Sequence, residues 1–207
     1  MGAELWFGLI ALCLVMYVLL DGYDLGIGMW LAGERDGTRR RQMVDLVATA
    51  WDGNESWIVL LGVALWGGVP LAYGALLPAL YIPILLTLLG LILRGVAIEV
   101  ISGTHPTPRR WEVAFVGGSY LTALAQGLVI GGLLSGIEIT DGHFSGGTFD
   151  FLTPYSLLTA LDTVVLYLTS GAGVIQLKTD CRLPAVIARG LPLSTLLLAA
   201  ACVGFYP

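Results

Sequence analysis

The sequence predicts an all-α polytopic membrane protein of about six transmembrane helices, and three observations carry that reading. The 207 residues are 57% hydrophobic and only 12% charged, against about a quarter charged in a soluble domain. Mean hydropathy is +0.84. The apolar residues also come in long runs separated by short polar breaks: "AGERDGTRRRQ", "GGVPLAYG", "SGTHPTPRRW", "SGIEITDGHFSGGTFDFLTP" and "KTDCRLP". A span needs about 20 mostly apolar residues, which gives candidates at 5–32, 43–66, 76–101, 112–134, 154–177 and 185–205. The first four, within 1–134, are expected to form one helical bundle, and 154–207 to open a second.

The first run carries no charge from residue 5 to 20, then meets Asp21 and Asp24 in "LLDGYDLGIGMW". Without a basic leader or a cleavage site it reads as a retained helix and not as a signal peptide. The second run contains "WDGNESW", with Asp52 and Glu55 expected 9 to 12 residues in, roughly 14–18 Å at 1.5 Å per residue. The third holds Arg94 and Glu99 in "LILRGVAIEV", with Pro78 and Pro83 as potential breaks. The fifth carries Asp162, to which no role is assigned.

Orientation follows from the Lys and Arg residues. Arg35, Arg39, Arg40 and Arg41 lie in the first break, Arg109 and Arg110 in the third, and Lys178, Arg182 and Arg189 around the fifth. All fall on one side, which the positive-inside rule makes cytoplasmic. The N-terminus is then expected outside. The exception is Arg94, within a span, where an arginine costs about 2.5–3.5 kcal/mol on insertion scales and needs partners.

Placed by depth, three helices deliver five carboxylates and one guanidinium to the cytoplasmic half of the membrane. Asp21/Asp24 and Asp52/Glu55 are i,i+3 pairs, which share a helix face. Asp24 is the first choice of partner for Arg94. Buried carboxylates without a counter-charge hold protons near neutral pH, and chains of them suit a proton relay. The competing reading makes each pair structural polar packing.

Other chemistries lack their residues. The two histidines, His105 and His143, fall in predicted loops, which leaves Met16 and Met29 as remote candidates for haem ligation, with packing or lipid contact the default for both. Cys13, Cys181 and Cys202 show neither metal nor CxxC spacing, and no phosphate-binding glycine loop or nucleic-acid motif occurs. Trp51 and Trp57 bracket the polar stretch of the second run; core packing is the default for them, and lining a gas or cofactor path the sharper alternative.

"LLDGYDLGIGM" followed by "ATAWDGNESWIVLLGVALW" resembles the paired signatures of subunit II of the cytochrome bd-type quinol oxidases. "LILRGVAIEV", "GGSYLTALAQGLVIGG" and "TPYSLLTALDTVVLYLTSGAGVIQLKT" extend the resemblance along the chain. It implies a respiratory complex of the bacterial inner membrane that oxidises quinol from the quinone pool and reduces O2 to water. Haem b and haem d would sit in a partner, subunit I, with room for small accessory subunits. By motif match Asp24, Asp52, Arg94 and Glu99 become proton-path or haem-supporting residues. Asp21, Trp51, Gly53, Asn54 and Trp57 become signature positions, while Glu55 falls at a variable one. The family usually has about nine helices, so this chain would match its first part. An ion-coupled transporter subunit is the alternative, though neither repeat symmetry nor a broken-helix pair at the midplane is evident. A subunit that merely docks a partner is the third reading.

Overall fold

The computed structural model describes residues 2–103, 108–179 and 185–206. The helices run α1 (Ala3–Trp30), α2 (Gly37–Ala48), α3 (Trp51–Gly68), α4 (Pro70–Ala79), α5 (Tyr81–Gly103), α6 (Arg109–Leu134), α7 (Pro154–Lys178) and α8 (Ala185–Gly204). Among the described residues four helices, α1, α5, α6 and α7, are long and apolar enough to cross a membrane. The apolar stretch of α8, Gly190–Gly204, is shorter. His105, Cys181 and Arg182 lie outside the described residues.

The second and third candidate spans differ from expectation. Residues 43–66 are not one helix: α2 stops at Ala48, and Ala50 leaves the helical region at φ −138°. The polar half of α2 explains this. Asp36 caps it by accepting from the amides of Thr38 (2.8 Å) and Arg39 (3.1 Å), a recognised N-cap arrangement. Its buried face is only Met43, Val44 and Val47, which joins Ile27, Leu31, Ile98, Ile101 and Phe115 in one apolar cluster.

α2 also acts as a clamp on neighbouring helix ends. The Arg40 guanidinium donates to the carbonyls of Leu31 (3.1 Å) and Glu34 (2.5 Å) just past α1, and to Glu112 of α6 (2.5 Å). Arg41 donates to the carbonyls of Ile101 (3.0 Å) and Ser102 (3.4 Å) in the last turn of α5. Cations at helix C-termini satisfy carbonyls that no helical amide reaches. The arginine-rich end of the bundle is therefore tied together by the same residues that set its charge.

The expected second loop, "GGVPLAYG", is instead largely helix α4. The helical run is interrupted at Val69 (φ −139°, ψ 63°), inside that stretch, and again at Leu80 (φ −111°, ψ 21°). Pro78 and Pro83 flank Leu80, and each lacks the amide that would complete the helical ladder. The fourth loop contains a two-residue hairpin, β1 (Ile139–Thr140) against β2 (His143–Phe144). Asp141 (φ 53°) and Gly142 (φ 80°) form its turn, the Asp-Gly pair that a type I′ turn favours.

α7 lies against both α1 and α6, and α5 against α6. Small residues permit this. A Cβ on Gly26 of α1 would fall on the Tyr167 carbonyl of α7, and one on Gly171 would come 2.5 Å from the carbonyl carbon of Gly26. A Cβ on Gly118 of α6 would lie 2.7 Å from the Gly90 carbonyl oxygen of α5. Helices in lipid gain little from apolar burial, so backbone contact through glycines replaces it. The N-terminal part of α1 exposes Leu5, Phe7, Leu12 and Leu19, whereas the stretch from Asp21 to Met29 is buried except for Tyr23.

Candidate functional site

Arg94 is the largest fully buried side chain in the described structure. It lies nine residues before the end of α5, and Asp21 nine before the end of α1, so both sit about 14 Å from the arginine-rich end. That common depth lets them meet. Arg94 Nη2 donates to Asp21 Oδ1 at 2.5 Å and to Glu55 Oε2 at 3.0 Å. The guanidinium also lies over the Trp51 ring, 5.9 Å from its centroid, within cation–π range. The indole fits because residue 95 is glycine: a Cβ there would come 3.0 Å from the ring.

Asp24 has a different partner. The Asn54 side-chain amide donates to Asp24 Oδ2 (2.8 Å) and to the Tyr23 hydroxyl (2.9 Å), and approaches the Leu20 carbonyl at 3.5 Å. The expected Asp24–Arg94 pair is thus replaced by Asp21–Arg94–Glu55. Asp21 and Asp24 are both fully buried, but their i,i+3 offset turns one toward α5 and the other toward Asn54 of α3. Glu55, at the position the resemblance leaves variable, is a direct partner of Arg94.

Two other expected members do not join. Asp52 is not a deep station: α3 starts at Trp51, which puts Asp52 in its first turn, exposed. Glu99 is exposed on the face of α5 that also carries Ile92 and Val96. Trp57 is half-buried and outside the cluster. Asp162 stands apart on α7, with Oδ1 buried and unpartnered among the described residues.

Two carboxylates therefore share one cation while Asp24 stands beside them without one, and the pairing is incomplete. Asp21 Oδ2, Asp24 Oδ1, and Arg94 Nε and Nη1 are buried without a hydrogen-bond partner among the described residues. An open cavity of about 740 Å³ lies at the arginine-rich end, lined by Tyr23, Gln42, Asp45, Thr49 and Lys178 among others. Tyr23 belongs both to its wall and to the Asn54–Asp24 network.

A second polar group lies deeper in the bundle and had no precedent in the sequence reading. Gln126 of α6 donates from Nε2 to the Tyr17 hydroxyl (2.5 Å) and accepts at Oε1 from the Tyr167 hydroxyl of α7 (2.8 Å). All three side chains are buried. The available signal was a lone glutamine in the apolar, glycine-rich "ALAQGLVIGG".

An all-α bundle that includes four helices long and apolar enough to cross a membrane, with an arginine and three carboxylates brought together from α1, α3 and α5, defines a polytopic membrane protein with an internal ionic site. The chain belongs to the cytochrome bd terminal oxidase subunit II family, whose model matches residues 3–207. It is similar to cytochrome bd-I ubiquinol oxidase subunit 2 of Escherichia coli (strain K12), at 32% identity over 184 residues, covering 84% of this chain and 48% of that one. It is 30% identical over 184 residues to the probable cytochrome oxidase subunit 2 of Haemophilus influenzae, with the same coverage. Cytochrome bd ubiquinol oxidase subunit 2 of Bacillus subtilis is 29% identical over 181 residues, covering 85% of this chain and 53% of that one. The chain thus spans about half the length of the curated relatives it matches.

Proposed function

We propose that the chain is the membrane subunit II of a bacterial quinol oxidase complex and carries part of its cytoplasmic proton path. Reduction of O2 to water consumes protons at a buried site, so protons must cross low-dielectric protein. The observation that carries this reading is the buried Asp24, which Asn54 hydrogen-bonds and links to Tyr23 in the wall of a cavity at the arginine-rich end. Positive residues favour the cytoplasmic side, which assigns that end to the proton source and the N-terminus to the outside. Asp24 accepts and releases the proton. Arg94, neutralised by Asp21 and Glu55, sets the local field. Asp52 and Glu99, exposed on α3 and α5, are assigned to the contact with the partner.

Haem b and haem d belong to that partner, subunit I, and supply the electron transfer and O2 chemistry when bound there. Among the described residues, His143 and Met29 are not placed for axial ligation. His143 lies in the hairpin, and Met29 is enclosed with Leu25, Ala123 and Tyr167. No step is therefore routed through a haem on this chain.

Affinity capture of the tagged chain from its native membranes tests the assignment. The expected product contains a haem-bearing partner, shows b- and d-type absorbance, and oxidises quinol with O2 uptake. Capture of the folded chain without haem or quinol oxidase activity would remove the assignment.

A further inference from the structure

The deeper polar group and the ionic cluster are joined by a gap that has one idle donor and one idle acceptor. Tyr17 precedes Asp21 by four residues, which places both on one face of α1, and the phenol lies beside the carboxylate. Gln126 donates to the Tyr17 oxygen, so the phenolic hydrogen is not used in that bond. Asp21 Oδ2 is buried without a partner among the described residues. The hydrogen bonds run in one direction: Tyr167 donates to Gln126, and Gln126 donates to Tyr17. The next acceptor in that direction is Asp21.

We infer that Tyr17, held in place by Gln126 and Tyr167, is a positioning residue. Its hydroxyl donates to Oδ2 of Asp21 and keeps this carboxylate as the fixed anion facing Arg94. Asp24 then becomes the member of the pair that is free to exchange a proton. The division follows from partner chemistry. An ionised carboxylate only accepts hydrogen bonds, and Asp21 is approached by a guanidinium and a phenol, both donors. Asp24 receives one neutral amide donor on Oδ2, and its Oδ1 is left open. The charged and titratable groups around Asp21 are Tyr17, Tyr23 and Asp24 on α1, Glu55 on α3, Arg94 on α5 and Tyr167 on α7; α6 contributes the uncharged Gln126. Tyr17, on the same face of α1, can supply a donor to Oδ2 without carrying charge into the site.

The assignment of Asp24 as exchanger rests on the proton-path reading, but the role of Tyr17 does not, because its test needs no turnover. The experiment is an infrared titration of the purified complex carrying 13C-labelled aspartate. The protonated-carboxyl band of Asp21 is identified by its loss in Asp21→Asn. In Tyr17→Phe, which keeps the ring and removes the donor, that band should appear at a pH about one unit higher than in the unmodified complex, the scale expected for one lost charge-assisted hydrogen bond. The band of Asp24, identified by Asp24→Asn, should move much less. If Tyr17→Phe fails to assemble, Gln126→Leu releases the phenol and should shift Asp21 in the same direction. An unmoved Asp21 band in whichever of these variants assembles would overturn the role of Tyr17. Equal movement of both bands would overturn the division of labour. Loss of proton uptake in Asp24→Asn bears on the proton path alone.

Discussion

Arg94→Met tests the core of the ionic site, because it keeps the aliphatic stem and removes the charge. Asp21 is fully buried, so its carboxylate loses its charged partner on Oδ1 and cannot rehydrate. Stripping one member from a buried ion pair costs about 3–5 kcal/mol. Glu55 adds little, because its side chain is 24% exposed and can rehydrate, as exposed pairs contribute roughly 0–1 kcal/mol. Against a typical folding stability of about 5–15 kcal/mol, a loss of that size is severe. The amount of complex recovered from membranes and its resistance to heat in detergent should both fall. Adding Asp21→Asn to Arg94→Met should restore most of the loss, since a neutral pair carries no uncompensated charge. Adding Asp24→Asn should not. Undiminished stability in Arg94→Met, or equal rescue by the two asparagine substitutions, would refute the pairing described above.

Further outcomes follow from other contacts. Asn54→Ala removes the donor to Asp24 and should cost about 1–3 kcal/mol for a buried acceptor left unpaired, read as earlier thermal unfolding together with slower turnover. Gly26→Ala forces α1 away from the Tyr167 carbonyl and should destabilise the complex by about 1–3 kcal/mol or more. Gly117→Ala, where an added Cβ meets nothing within 4 Å, should be neutral or stabilising by up to about 1 kcal/mol; similar melting of these two glycine variants would count against close α1–α7 packing. A cysteine introduced as Arg39→Cys should resist impermeant thiol reagents in intact cells and react in inverted vesicles, and labelling from outside would reverse the orientation.

The fold class and part of the site were readable because charge inside an apolar run has few explanations. Asp21, Asp24 and Arg94 announced themselves in this way, and all three are buried. The equal depth of Asp21 and Arg94 was within reach of a count from the helix ends, but Asp24 was preferred because nothing in a sequence fixes rotation about the helix axis. Asp52 was placed too deep for a separate reason. "RQMVDLVATAWDGNESW" has no proline, and no glycine precedes Trp51, so the break at Thr49–Ala50 leaves no local mark. It arises from tertiary contacts: α2 docks its Met43, Val44 and Val47 face while its arginines hold the ends of α1 and α5. Pro78 and Pro83 foreshadow the bend at Leu80, whereas the stretch 67–74 reads as a break although Pro70–Ala79 is helical. The Tyr17–Gln126–Tyr167 group joins residues 41 and 109 positions apart, a relation that local pattern cannot carry.

The most direct measurement concerns Asp24 in its complex. Asp24→Asn keeps the size of the side chain but cannot exchange a proton. The purified complex, reconstituted in liposomes and normalised to haem content, is assayed for quinol oxidase turnover and for proton uptake from the side bearing Arg39–Arg41. The expected result is near-normal yield and haem content with turnover and uptake reduced severalfold or more. Turnover and proton uptake equal to those of the unmodified complex would contradict the proton path and leave the cluster as structural polar packing.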